Sequence, residues 1–157
     1  MVDSQLHTPV MPFDGRQSET ALSIQTGVCS LLIEMDFAPV TEVTLGSGRR
    51  ADVMALGPTG DLWIIEIKSS EADYRADKKW HTYRDYCDRF FFAAASDDVA
   101  DLLPADEGLI LADRWGAEIV RDAERIPLNA SRRKAAVARY ARTAAFRLLR
   151  LPDRLDA

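Results

Sequence analysis

Apolar residues recur at Ala21, Ile24, Val28, Leu31 and Met35, the spacing of one helix face. Ser18 precedes them as an N-cap, so a helix is expected from Ser18 to near Asp36. Gly27 weakens that helix by about 1 kcal/mol relative to Ala. The pattern then changes. Val40–Leu45, Arg50–Leu56 and Leu62–Lys68 are aliphatic and β-branched pieces parted by Gly46-Ser47-Gly48 and Gly57-Pro58-Thr59-Gly60. Short runs between turn signals predict three strands in an antiparallel meander.

Helical spacing returns over Asp73–Asp88, with Ala76, Trp80, Tyr83 and Cys87 on one stripe that reads as core. Phe90–Ala95 is apolar without a break, as in a central strand buried on both faces. Gly108–Ala112 and Ala117–Val120 are predicted short strands. Ser131 caps a long helix to about Arg150, stopped by Pro152. Residues 1–17 hold Pro9, Pro12 and Gly15 with little periodicity and read as a loose arm; 18–157 form one domain. The order αβββαβ, with later additions, is a mixed α/β fold.

A chain of 157 residues, 47% apolar and 29% charged, suits one soluble core. No apolar run approaches the roughly 18 residues of a membrane span. The first residues show no basic or apolar leader. Cys29 and Cys87 are too few for a disulfide framework or a four-cysteine zinc site, and fit a reducing cytoplasm as buried apolar positions. His7 and His81 form no metal or triad pattern.

Charge is divided along the chain. Residues 1–120 carry 10 Lys/Arg against 21 Asp/Glu, a balance of −11; residues 121–157 carry 10 against 4, a balance of +6. At ~100° per residue, Val137, Ala141, Ala144, Ala145 and Leu148 share one side of the last helix and are expected to face the core. Arg132, Arg139, Arg147 and Arg150 fall on the other side, with Tyr140 and Phe146 among them. Arginines interleaved with aromatics suit phosphates and stacked or splayed bases. The plainer reading is an amphipathic helix with solvated arginines.

The candidate chemistry lies in the meander. Side chains alternate in a strand, so Glu66 and Lys68 share one face of Leu62–Lys68. Asp52 lies among apolar neighbours one strand earlier, and pairing across the Gly57–Gly60 turn lets it approach Glu66. Converging carboxylates repel unless one takes a proton or a cation joins them, and oxygen ligands favour Mg²⁺ or Mn²⁺. Lys68 beside them suits phosphodiester hydrolysis, either by acting on a water or by stabilising charge at phosphorus. The plainer alternative is a Glu–Lys pair at a solvated strand end. Lys78 and Lys79 are phosphate contacts if their helix borders the site.

Asp52 followed after a hairpin by Glu66-Ile67-Lys68 resembles the PD-(D/E)XK nuclease superfamily over about residues 18–95. The fuller string Gly48-Arg49-Arg50-Ala51-Asp52-Val53, Glu66-Ile67-Lys68-Ser69-Ser70, Lys79-Trp80, Tyr83 and Cys87-Asp88-Arg89-Phe90-Phe91 resembles, to about residue 150, the MmcB-like family of bacterial DNA repair proteins. The resemblance implies a restriction-endonuclease-like core, a mixed sheet flanked by helices with a long basic C-terminal helix. It implies Mg²⁺ (or Mn²⁺) held by Asp52, Glu66 and the Ile67 carbonyl, with Lys68 catalytic. The function implied is a metal-dependent DNA endonuclease acting in repair. DNA is its partner through Arg49, Arg50, Lys78, Lys79, Arg132, Arg139 and Arg150. The alternative is a DNA-binding or adaptor module of the same fold without hydrolysis; a third reading is an interaction protein with a buried polar network. Cutting both strands is simplest for a homodimer, and a repair-protein partner fits either repair role.

Two positions depart from the superfamily pattern. Ala51 stands where its name has proline. The first-helix glutamate of resolvase-like members has no clear counterpart: Gln25 falls nearest, with Glu19 and Glu34 to either side.

Overall fold

The Ser18 hydroxyl accepts a hydrogen bond from the Ala21 N–H at 3.1 Å and starts helix α1, Glu19–Glu34, as its cap position predicts. The helix ends where Asp36 takes φ 63°, a left-handed residue of the kind that closes helices. The computed structural model describes residues 18–150; the expected arm over 1–17 and the stop at Pro152 lie outside them.

Six strands follow: β1 Ala38–Thr44, β2 Arg50–Leu56, β3 Leu62–Ile67, β4 Arg89–Ala94, β5 Gly108–Asp113 and β6 Gly116–Arg121. They lie side by side in chain order as one sheet. The expected meander forms β1–β3, antiparallel throughout. β4 pairs parallel to β3 and to β5, and β6 closes the sheet antiparallel. Short helices α2, Glu71–Ala76, and α3, Asp97–Ala100, lie in the two parallel crossovers, and α4 is Ala130–Leu149. The fold is a mixed α/β sheet flanked by helices with a long C-terminal helix. No helix among the described residues is long and apolar enough to cross a membrane.

On one face, Ile24, Val28 and Leu32 of α1 bury Val53, Ile65, Phe91 and Ile110. Gly27 is no weakness there. A Cβ on it would lie 2.0 Å from the Asp113 carbonyl oxygen and 2.4 Å from that of Gly116, so its missing side chain lets α1 touch the β5–β6 turn. The opposite face packs Met54, Ile64, Phe90 and Phe92 under Tyr83, Cys87 and Tyr140. Burial pushes both cysteine thiols up to about 12, which leaves them unreactive.

The helix expected over Asp73–Asp88 is broken. α2 ends at Ala76, and a 3-10 helix occupies Trp80–Tyr86. Between them Asp77 is extended (φ −93°, ψ 99°), and its carboxylate accepts from the Lys79 N–H at 3.0 Å. The stripe is broken accordingly: Ala76 is exposed, whereas Tyr74 meets Phe92 edge-on at 6.1 Å.

The face expected for the last helix is also corrected. Its N-cap is Asn129, which accepts from the Arg132 N–H at 2.9 Å, and not Ser131. Ala136 and Tyr140 face inward, while Ala141 and Ala145 are exposed and Leu148 is 58% exposed. Polar anchors, not apolar area, orient α4. Arg133 forks onto Asp88 at 2.8 and 2.5 Å, Tyr140 donates to the Ala38 carbonyl at 2.7 Å, and Arg147 donates to the carbonyls of Thr41 and Glu42. These anchors recur every seven residues on one stripe of the helix, and the last two of them lie on edge strand β1.

Asp88 is 1% exposed and also accepts from the N–H groups of Leu62 and Leu128 at 2.8 and 2.9 Å. Burial alone would raise its pKa; the Arg133 guanidinium and those two N–H groups hold it below the usual carboxylate range.

Gly27→Ala should gain about 1 kcal/mol of helix propensity yet lose more to overpacking, for a net fall in denaturant-measured stability of order 1–2 kcal/mol. An unchanged or raised melting temperature would contradict the close contact.

Asp88→Ala should cost about 3–5 kcal/mol at neutral pH by leaving Arg133 unpaired. A depressed carboxylate stabilises the fold above its unfolded pKa, about 3.9, and that contribution is lost as pH falls through the lower folded value. The gap between wild type and variant should therefore close below about pH 4 in urea titrations.

Candidate active site

The pairing of β2 with β3 runs from Leu56↔Leu62 to Val53↔Ile65. One further step in that register sets Asp52 opposite Glu66. There the ladder stops, and Asp52 Oδ2 accepts from the Ile67 N–H at 2.8 Å. A carboxylate thus takes a place that a backbone carbonyl would hold in a regular sheet. The distortion extends into β1, where Glu42, opposite Asp52 in register, has φ 52°.

Asp52 and Glu66 come within hydrogen-bonding reach of one another. Glu66 is 6% exposed, and its Oε2 is buried with no hydrogen-bond partner. Burial pushes Asp52 up to about 6, against the Ile67 N–H and the Lys68 charge, which lower it. Burial, followed by the Asp52 charge, raises Glu66 well above the carboxylate range. Lys68 is 2% exposed, with Nζ 2.9 Å from Asp77 Oδ2 and 3.5 Å from Glu66 Oε1. Desolvation would lower its pKa, but the surrounding carboxylates outweigh that and raise it, so it stays an ammonium.

Arg49 Nη2 meets Asp77 Oδ1 at 3.0 Å, and its guanidinium lies 4.9 Å from the Tyr83 ring centre. The Tyr83 hydroxyl donates to the Arg50 carbonyl at 3.0 Å. Arg49 Nε is buried without a partner. Arg49, Glu66, Lys68 and Asp77 border an open cleft of about 500 Å³, lined also by Asp73, Lys78 and Lys79.

The sequence-predicted Asp52, Glu66, Ile67 and Lys68 are therefore together, with Arg49, Lys78 and Lys79 at the cleft rim. Arg50 pairs with Glu42 at 3.6 Å, and Arg132, Arg139 and Arg150 lie along α4. Asp73, Asp77 and Tyr83 are neighbours that sequence reasoning missed. Tyr83 is core, as expected, and is also the surface against which Arg49 rests. The available signal for Asp77 was the acidic run Glu71, Asp73, Asp77 after a lysine at the end of a buried strand.

The residues fit a divalent cation. Two buried carboxyls repel, and an orphaned Glu66 oxygen lacks a donor; a cation answers both needs. The Ile67 peptide is held against Asp52 by its own N–H. No group of three or more His, Cys, Asp or Glu side chains that could hold a metal occurs among the described residues. α1 adds no buried carboxylate: Gln25 is 5% exposed, while Glu19 and Glu34 are on the surface.

The family described as "DNA repair protein MmcB-like" matches residues 8–154. A protein of unknown function from Silicibacter pomeroyi is 43% identical, with a TM-score of 0.83, over 87% of this chain and 94% of that one. A repair endonuclease from Pyrococcus abyssi is 19% identical, with a TM-score of 0.36, over 59% of this chain and 44% of that one. No curated protein matches the chain.

Glu66→Gln removes a buried charge that metal-free protein can hold only at a cost. In chelator at pH 7 the variant should melt above wild type, and Mg²⁺ or Mn²⁺ should stabilise wild type alone. A variant that melts lower, with neither protein responding to metal, would identify the cluster as a structural network.

Proposed function

We propose, for a chain that belongs to the MmcB-like family of DNA repair proteins, that the cleft hydrolyses a DNA phosphodiester with a divalent cation held by Asp52, Glu66 and the Ile67 carbonyl. The observation that carries this reading is the buried, unpartnered Glu66 Oε2 beside Asp52 and a fully buried ammonium. When bound, Mg²⁺ or Mn²⁺ would neutralise phosphate charge and make water a stronger acid. Lys68 stabilises negative charge as it develops on the phosphate oxygens; its raised pKa suits that role better than that of a base. Asp77 holds the ammonium in place. Arg49, Lys78 and Lys79 at the rim position the flanking phosphates.

A second reading is a DNA-holding module that does not cut. Lys68 already has Asp77 at 2.9 Å, and α1 supplies no carboxylate to the cation. Either reading suits a repair complex in the cytoplasm.

Cleavage with Mg²⁺ and Mn²⁺, assayed on branched, flapped, single-stranded and linear DNA, separates them. The nuclease reading expects cleavage of at least one substrate. Lys68→Ala, and Lys68→Met, which keeps the buried stem, should abolish it while changing DNA affinity by less than ~3-fold, because the role lies in the transition state. Asp52→Asn should lose both metal binding and cleavage, since an amide is a poorer ligand for a hard cation. DNA binding by wild type without cleavage of any substrate would establish the holding module instead.

A further inference from the structure

A second cavity, a groove of about 540 Å³, runs between α4 and edge strand β1. Its lining includes Glu42, Arg139, Arg142, Phe146, Arg147 and Arg150. A smaller one of about 300 Å³ shares Arg139 with it and adds Arg132 and Tyr86.

Glu42 is the sole carboxylate of the larger groove, and it is engaged by Arg50 at 3.6 Å. Arg147 is spent on the carbonyls of Thr41 and Glu42. Among the described residues, Arg142 and Arg150 meet no carboxylate, and Arg139 reaches only the Thr44 carbonyl at 3.5 Å. Three guanidiniums of this groove therefore have no carboxylate partner among the described residues. Phe146 lies among them, 49% exposed, with the Arg142 guanidinium 5.4 Å from its ring centre.

We infer that this groove receives an unpaired DNA strand, its phosphates on Arg139, Arg142 and Arg150 and a base stacked on Phe146. The inference rests on the DNA-directed reading above and adds the class of substrate: DNA that carries a single-stranded segment. Duplex phosphates ask only for cations, whereas an exposed aromatic ring between arginines is useful to a base that has left the stack. A second copy of this chain related by a two-fold axis would set arginine against arginine. From Arg132 to Arg150 the helix rises about 27 Å, room for up to roughly eight nucleotide steps of 3.4 Å. Glu42 on its wall lies between Thr41 and Val43, which pair with Val53 and Ala51 on either side of Asp52.

Fluorescence anisotropy on the full chain in chelator tests this with an oligo-dT strand, a blunt duplex and that duplex bearing an oligo-dT flap. The single strand and the flap should bind more tightly than the duplex. Phe146→Ala should weaken both by at least about 5-fold and the duplex by less than ~2-fold. Arg142→Gln and Arg150→Gln should each lower the slope of log affinity against log salt on the single strand by roughly 0.7. Duplex binding with no single-strand preference, or equal losses on all three probes, overturns the inference while the DNA-directed reading stands. Absence of binding to every DNA overturns both, and poly-glutamate bound in an Arg142- and Phe146-dependent manner would assign the groove to an acidic protein.

Discussion

A lysine ammonium 2% exposed, at the end of a strand whose side chains are all buried, must be given an anion, and the local chain is shaped by how that is done. Burying it unpaired would cost several kcal/mol. Glu66, on the same face, is 3.5 Å away and supplies charge, but its own environment is shared with Asp52. Asp77 supplies the strong contact at 2.9 Å, and to reach it the backbone leaves the helix after Ala76. That break frees the next segment to form the 3-10 helix, which sets Tyr83 over the core and beneath Arg49. Arg49 then closes the sequence of charges on the far oxygen of Asp77. Placing one cation thus fixes the crossover, the cleft wall and the orientation of Arg49.

The C-terminal helix follows a different rule. It brings little apolar area to the sheet, and what it brings is held in register by Arg133, Tyr140 and Arg147. Arg133 reaches a carboxylate that also ties the start of β3 to the segment before α4, so the helix is anchored at the centre of the fold. Tyr140 and Arg147 instead satisfy carbonyls of β1, including those of the left-handed Glu42 and of Thr41 before it. Covering an edge this way blocks strand-to-strand association and leaves the rest of the helix surface for other uses.

Much of the framework was legible in the sequence because it obeys local periodicity. Ser18, the turn at Gly57–Gly60 and the run Phe90–Ala94 each carry a signal within a few residues of the element they define. Asp52, Glu66 and Lys68 were legible for the same reason: alternation places two on one face, and one hairpin brings the third. The losses came where distant partners decide. A helical stripe through Asp77 was sound as periodicity and failed because Lys68, nine residues earlier, needed that carboxylate. The face of α4 was misjudged because hydrophobic periodicity is blind to arginine and tyrosine acting as anchors. Gly27 read as a defect until the β5–β6 turn, far along the chain, lay against it.

The net charge of −5 gives a poor guide to what such a surface attracts, because it counts paired and unpaired groups alike. Arg84, Arg125 and Arg133 are matched one-to-one with Glu107, Asp61 and Asp88, while Arg49 and Lys68 share Asp77; these pairs present little field to a ligand. Among the described residues, Lys78 and Lys79 at the cleft and Arg142 and Arg150 in the groove meet no carboxylate. A polyanion is governed by those local charges, since screening confines each to about 10 Å and binding gains from the counterions each phosphate contact releases. An acidic chain can therefore present a basic track. Here the carboxylates of Glu107, Asp61 and Asp88 are matched to structural arginines, while Arg142 and Arg150 along α4 meet no carboxylate among the described residues.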